Sequence, residues 1–251
     1  MAHNQVVRFM RSYAIGDIHG QLEKLQLAHA LIDADMAKHG AAQIVHVGDL
    51  VDRGPESAGV ISFLIAGQAA GADWVVLKGN HDRMFTGFLG DDTHHDPRLT
   101  TMLSWLHPRL GGGATLASYG VANAADRPVA PVYAEAVAAV PAEHRQFIDG
   151  LPVMHRIGDV VFVHAGIRPG LPLVDQIEDD LVWIREPFLS DTRDHGVLIV
   201  HGHTVVERPT HYGNRVNIDT GAGYGGPVTV IALEGRDVFH LNAQGRQPLH
   251  P

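Results

Sequence analysis

The chain has 251 residues, enough for one large α/β domain whose buried core needs no covalent staple. It has no cysteine, which excludes disulfides and thiolate metal sites, so any metal must sit on oxygen and imidazole ligands. A formal net charge of −9 leaves no excess of Lys and Arg for a nucleic-acid surface, although a few arginines in a cleft would suffice for a small phosphorylated substrate.

Residues 1–12 are too polar for the apolar core of a signal peptide. No apolar run reaches the length of a membrane span. The expectation is a cytoplasmic protein with no membrane partner. No solenoid repeat, heptad pattern or linker is visible, so a single domain over 1–251 is expected and the oligomeric state is left open.

The first half repeats one unit. An apolar strand at 12–15 runs into Gly16-Asp17, a second at 43–47 into Gly48-Asp49, and a third at 74–77 into Lys78-Gly79-Asn80. The three polar residues are 32 and 31 residues apart, about the size of a βαβ unit. Leu22, Leu25, Ala28, Leu31 and Ile32 mark an intervening helix. Val60, Ile61, Leu64 and Ile65, after Pro55, mark another. Parallel strands place their carboxyl ends along one edge, where open α/β sheets bind ligands. Asp17, Asp49 and Asn80 are therefore expected to converge.

Residues 84–130 break the pattern and read as a variable insertion of short helices and loops near the cleft. Residues 134–149 read as one helix. Strands then return at 160–163, 197–200, 215–218, 228–233 and 238–241, several joined by Gly-rich turns that suggest antiparallel pairing in mixed sheets. Two of them end in His164-Ala165-Gly166 and His201-Gly202-His203. Singly, Asp17 and Asp49 could be helix caps, Asn80 a turn residue and Arg53 a surface ion-pair partner. Capping does not explain Asp17-x-His19, Asn80-His81 and two later histidines at strand ends together.

In chain order these motifs are Gly16-Asp17-Ile18-His19-Gly20, Gly48-Asp49-Leu50-Val51-Asp52-Arg53-Gly54, Gly79-Asn80-His81-Asp82, His164-Ala165-Gly166 and Gly202-His203. The set resembles the calcineurin-like metallophosphoesterases. Within them it looks like bacterial-type members of the phosphoprotein phosphatase (PPP) family, which act on phosphoserine and phosphothreonine. The resemblance covers about residues 13–225. The Asp52-Arg53 pair points to the phosphatase branch, whereas diadenosine tetraphosphate hydrolases share most other motifs. Ala165 departs from the second glycine usual in eukaryotic members.

The resemblance implies an α/β fold of mixed sheets packed as a sandwich and flanked by helices. It implies two divalent metal ions, Mn first, with Fe or Zn as alternatives. Asp17, His19 and Asp49 would hold one. Asp49, Asn80, His164 and His203 would hold the other, with Asp49 bridging. His81 would be the general acid, oriented by Asp52. Arg53, Asn80 and Arg185 would bind substrate phosphate, Arg185 with a structural ion pair as its alternative. The expected reaction is direct attack of a metal-bridging hydroxide on a phosphomonoester of a protein or small molecule. The alternative is hydrolysis of dinucleoside polyphosphates or other phosphoanhydrides.

Five side chains are expected to stay outside this set. His201 is read as structural beside ligand His203. His94 and His95 are read as solvated and His46 as buried and hydrogen-bonded. Tyr224 is read as a hairpin residue, or second as a cleft wall.

Overall fold

The computed structural model describes residues 10–251, so most of the polar stretch 1–12 lies outside the described residues. The strands are β1 (Arg11–Ile15), β2 (Gln43–His46), β3 (Trp74–Val76), β4 (Met154–Ile157), β5 (Val160–Val163), β6 (Leu198–His201), β7 (Thr210–His211), β8 (Arg215–Asn217), β9 (Val230–Glu234), β10 (Asp237–Asn242) and β11 (Gly245–Pro248). The helices are α1 (Leu22–His39), α2 (Ser57–Ala69), α3 (Asn80–Gly90), α4 (Gly112–Ser118), α5 (Val129–Ala139), α6 (Ala142–Asp149) and α7 (Glu178–Trp183).

Two mixed sheets form. One has the order β11-β10-β9-β1-β2-β3 and the other β4-β5-β6-β8-β7. β1, β2 and β3 are parallel, as the βαβ spacing requires, and β9 joins β1 antiparallel. In the second sheet β5, β6 and β8 are parallel. Period-2 alternation decides which side chains enter which layer. Ala14, Val45, Phe162, Leu198, Val200, Ile231 and Leu233 meet between the sheets. Tyr13 and Ile15, pointing the other way, meet Leu25, Ile32, Ile61 and Leu64 of the helices. Val161, Val163 and Ile199 face outward under Leu181, Ile184 and Phe188. No helix among the described residues is long and apolar enough to cross a membrane.

Two expectations need correction, and some short strands were not expected. The helix expected over 134–149 is two, because Pro141 disfavours helical geometry at Val140, whose ψ is 119°. The variable stretch begins after Gly90, not at 84: α3 buries Met84, Phe85, Phe88 and Leu89 in the main core. β4 and β11 are short edge strands whose polar residues give no apolar run to read.

Beyond its ladder with β10, β11 is tied to α1 and β9 by one arginine. Arg246 donates to both Asp35 oxygens, at 2.7 Å to Oδ2, and to Glu234 at 2.7 Å. The Tyr13 hydroxyl also donates to Asp35 at 2.7 Å. Burial and this carboxylate push the Tyr13 hydroxyl up to about 12. Burial opposes ionisation of Asp35, yet the hydrogen bonds from Arg246 and Tyr13 hold its carboxyl below the ordinary value. Arg246 does the same for Glu234. Depressed carboxylates contribute stability above their ordinary range and lose it as pH falls through the folded values. Arg246→Ala should therefore cost about 2 kcal/mol at pH 7, shrinking below about pH 4, in chemical denaturation. A cost equal at pH 7 and pH 3 would contradict this account.

Candidate active site

Every motif falls where a strand stops. Asp17 follows β1, Asp49 follows β2, Asn80 opens α3 after β3, His164 follows β5 and His203 follows β6. A sixth strand end joins them: Asp219 follows β8 and lines the same cleft as Asp49, Asn80, His81 and His203. The strand-then-Asp pattern at 215–219 repeats that of Asp17 and Asp49, and was the signal available for it.

The turns after these strands are strained. His19, Asp49, Asp52, Arg53 and His203 all have positive φ, between 47° and 74°, although none is glycine. Such conformations cost about 1–3 kcal/mol each and cluster where a side chain must be aimed. The glycines beside them are steric necessities. A Cβ on Gly79 would lie 2.2 Å from Asp49 Oδ1, and one on Gly202 would lie 1.9 Å from Asp17 Oδ1. Asp82 ties two of these turns together by accepting from the backbone N–H of Leu50 at 2.9 Å and of Gly79 at 2.8 Å.

Two groups of buried donor atoms could each hold a metal ion. One is His19, Asp49 and His81; the other is Asp49, His164 and His203. Asp49 belongs to both, with Oδ2 at 3.4 Å from His19 Nε2 and Oδ1 at 3.3 Å from His164 Nε2. The carbonyl of Asn80 joins the second group, 2.9 Å from His164 Nε2 and 2.9 Å from His203 Nδ1. Asp17 stands apart from the first group's close spacing. Its carboxylate accepts from the His203 backbone N–H at 3.1 Å.

The donor chemistry fits cations. His19 donates Nδ1–H to the Val51 carbonyl and His164 donates Nδ1–H to the Val47 carbonyl, each at 2.9 Å. That tautomer turns the Nε2 lone pair of both rings inward. Burial holds His19, His164 and His203 below the ordinary imidazole value, keeping them neutral. The His164 lone pair then faces two further acceptors, Asn80 Oδ1 and Asp49 Oδ1. Such a contact repels unless a cation stands among them. Nε2 of His203 is buried without a hydrogen-bond partner among the described residues. Burial, with Asp219 and Asp49 nearby, pushes the Asp17 carboxyl well above its ordinary value. Burial likewise pushes Asp219 up to about 6 against the hydrogen bond from the Gly221 amide. A dication relieves that crowding of carboxylates.

His81 is held differently. Its Nδ1–H donates to Asp52 Oδ2 at 2.6 Å. Asp52 is fixed in turn by the Trp105 indole N–H at 2.9 Å and the Thr115 hydroxyl at 2.7 Å. Trp105 and Thr115 come from the aperiodic stretch between α3 and α5, and no local pattern marked them. Arg53 donates to His81 Nε2 at 2.9 Å and to His19 Nε2, while its guanidinium lies 4.6 Å from the Tyr224 ring centre. Tyr224 is thus a cleft wall, which corrects its first reading as a hairpin residue.

Arg185 lies in the same cleft as Arg53, and a third arginine, Arg109, lines it too. None of the three pairs with a carboxylate among the described residues, unlike Arg83, Arg168 and Arg246. Three such guanidiniums around buried acids make a cleft suited to phosphate oxygens. The remaining histidines sit elsewhere. His201 bonds Gly202 and contacts Arg215, His46 contacts His29 and the Val75 carbonyl, and His94 and His95 are exposed.

Comparison with known proteins places this geometry. The family described as calcineurin-like phosphoesterase matches residues 10–232. A bis(5'-nucleosyl)-tetraphosphatase PrpE [asymmetrical] of Anoxybacillus flavithermus is 28% identical over 240 residues, covering 86% of this chain and 88% of its own. A solved structure of a candidate diadenosine tetraphosphatase superposes with a TM-score of 0.64 at 21% identity, covering 98% of this chain and 96% of the other. A cold-active protein tyrosine phosphatase also superposes with a TM-score of 0.64, at 20% identity over 96% of this chain and 79% of its own. At these identities the two superpositions speak for the fold alone.

Proposed function

The chain belongs to the calcineurin-like phosphoesterase family, and from that premise we propose that it hydrolyses a phosphoanhydride bond of dinucleoside polyphosphates. The observation that carries this is the trio Arg53, Arg109 and Arg185 around one cleft with the two ligand groups. A phosphomonoester offers one phosphate; three unpaired guanidiniums suit several in a row. The Anoxybacillus relative, matched over most of its length, carries a name of the same kind. The expectation of a phosphoserine or phosphothreonine protein substrate rests on the Asp52-Arg53 motif. It is the second reading.

In this proposal Asp17, His19 and Asp49 hold one divalent ion, and Asp49, Asn80, His164 and His203 the other. Mn is put first on the family resemblance, with Fe or Zn as alternatives that oxygen and imidazole ligands also suit. When bound, the two ions supply charge to phosphate oxygens and an acidified water. The protein's residues do the rest. His81 has its Nδ1–H committed to Asp52, so the proton it gives a leaving oxygen comes from Nε2, on the cleft side. Arg53 donates to His81 Nε2 now, but phosphate oxygens are stronger acceptors and draw the guanidinium to themselves. Asn80 and Arg185 flank the same phosphate.

The test is a parallel assay. Metal-stripped protein reloaded with Mn is given diadenosine tetraphosphate, a phosphoserine peptide and p-nitrophenyl phosphate. The expected kcat/KM for the dinucleotide exceeds that for the peptide at least tenfold. A faster peptide reaction overturns the anhydride reading in favour of the second.

A further inference from the structure

Beside the metal cleft lies a second concavity of about 580 Å³. Its walls are mostly apolar and mostly small, with Ala114 and Ala117 on α4, Ala125 on the turn that follows and Gly113, beside the larger Leu106 and Pro108. Arg53, Arg109 and Tyr224 border both spaces, so the two are continuous. Tyr224 is 67% exposed, unusual for a large aromatic side chain. One neighbour of its ring is the Arg53 guanidinium, at 4.6 Å.

Polarity divides along this path. The cleft side carries buried carboxylates, imidazoles and arginines. The groove side carries aliphatic groups and backbone, with Asn123 as an amide that can both donate and accept. The guanidiniums among the groove's walls are those of Arg53 and Arg109, both at the junction. A ligand that fits must be anionic at one end, anionic across the junction, and flat and largely apolar at the other. The volume is in the range of small-ligand sites, and Ala or Gly walls admit a planar ring where larger side chains would fill the space.

We propose that this groove seats one nucleoside of the substrate, with its base on Tyr224 and the chain of phosphates crossing Arg109 to the metal cleft. This rests on the dinucleoside polyphosphate reading above. Tyr224 supplies a stacking face that accepts any base. Arg109 is a positioning residue for phosphates away from the bond that breaks. Away from the junction arginines the walls offer a base only the Asn123 side-chain amide and backbone groups, so the groove favours nucleotides over bare phosphate chains without selecting strongly among bases.

Ala117 is exposed and borders the groove but not the cleft, so Ala117→Trp fills the groove with the catalytic side chains left in place. Ala125→Trp does so from a different element, which guards against a local folding defect in α4. Both variants, loaded with Mn, are assayed on diadenosine tetraphosphate and on inorganic tripolyphosphate, which has no nucleoside. KM for the dinucleotide should rise at least tenfold in both, with kcat/KM for tripolyphosphate within twofold of wild type. Equal changes for both substrates, or none for either, overturn the groove assignment. If wild type cleaves p-nitrophenyl phosphate but not the dinucleotide, the anhydride reading falls by itself. The groove is then judged by inhibition of that reaction. At least tenfold weaker inhibition by ADP in the variants, with pyrophosphate unchanged, supports it; parallel changes for ADP and pyrophosphate, or none, overturn it.

Discussion

Asp49→Asn is expected to lower turnover of every phosphate substrate by about a thousandfold or more, and to reduce bound metal at both positions. Among the described residues Asp49 is the one side chain whose oxygens reach both donor groups, 3.4 Å from His19 on one side and 3.3 Å from His164 on the other. An amide has one oxygen to offer. Its NH₂ would face one of these groups as a donor where an acceptor is needed. The charge between two cations would also vanish. Metal content after gel filtration, read by mass spectrometry, checks this. Two metals per chain at wild-type affinity would sink the bridging role. Misfolding is separable from this result. A folded variant elutes at the wild-type volume in the same gel filtration, whatever its metal content.

His81→Asn is expected to act on leaving groups unequally. General acid catalysis contributes about 10²–10⁴-fold where the departing oxygen is basic. A phosphoserine alkoxide is such a group, whereas p-nitrophenolate leaves without help. The loss should approach the full range on the phosphoserine peptide and stay within about tenfold on p-nitrophenyl phosphate. A polyphosphate leaving group, less basic than an alkoxide, should fall between. Equal losses on all three would rule out proton donation by His81. The expectation draws on the 2.6 Å bond from His81 Nδ1 to Asp52, which leaves only Nε2 to transfer a proton.

Much of the site was legible because its residues stand next to strand ends. A strand that stops in Gly-Asp or Gly-Asn writes its own turn locally, and three such strands a βαβ unit apart must be neighbours in a parallel sheet. The registers Ile15 to His46 and His46 to Val76 carry that inference into the fold. The break at Pro141 was also written locally, though the apolar pattern around it concealed it.

Other features carried no local mark. Trp105 and Thr115 reach Asp52 across 53 and 63 residues, from a stretch with no periodicity. Their partner is chosen by how that stretch folds back over α3, where Trp105, Leu106 and Leu116 enter the same core as Phe85. Arg109 is one arginine among many until its neighbours are known. The groove beside it has no residue signature, since small side chains mark a space only when something else encloses them.

The sequence by itself determined the chemistry available: oxygen and imidazole donors without sulfur, an Asp-Arg pair, and a histidine beside a ligand. It also determined the order of the strands that present them, because apolar period and turn residues are local properties. Only the tertiary structure decided that two separate sheets bring their strand ends to one cleft, that Asp219 and Arg109 join it, and that Tyr224 borders a second space. Those depend on packing between segments distant in the chain, where the free energy lies in burial shared by both partners and not in either segment alone.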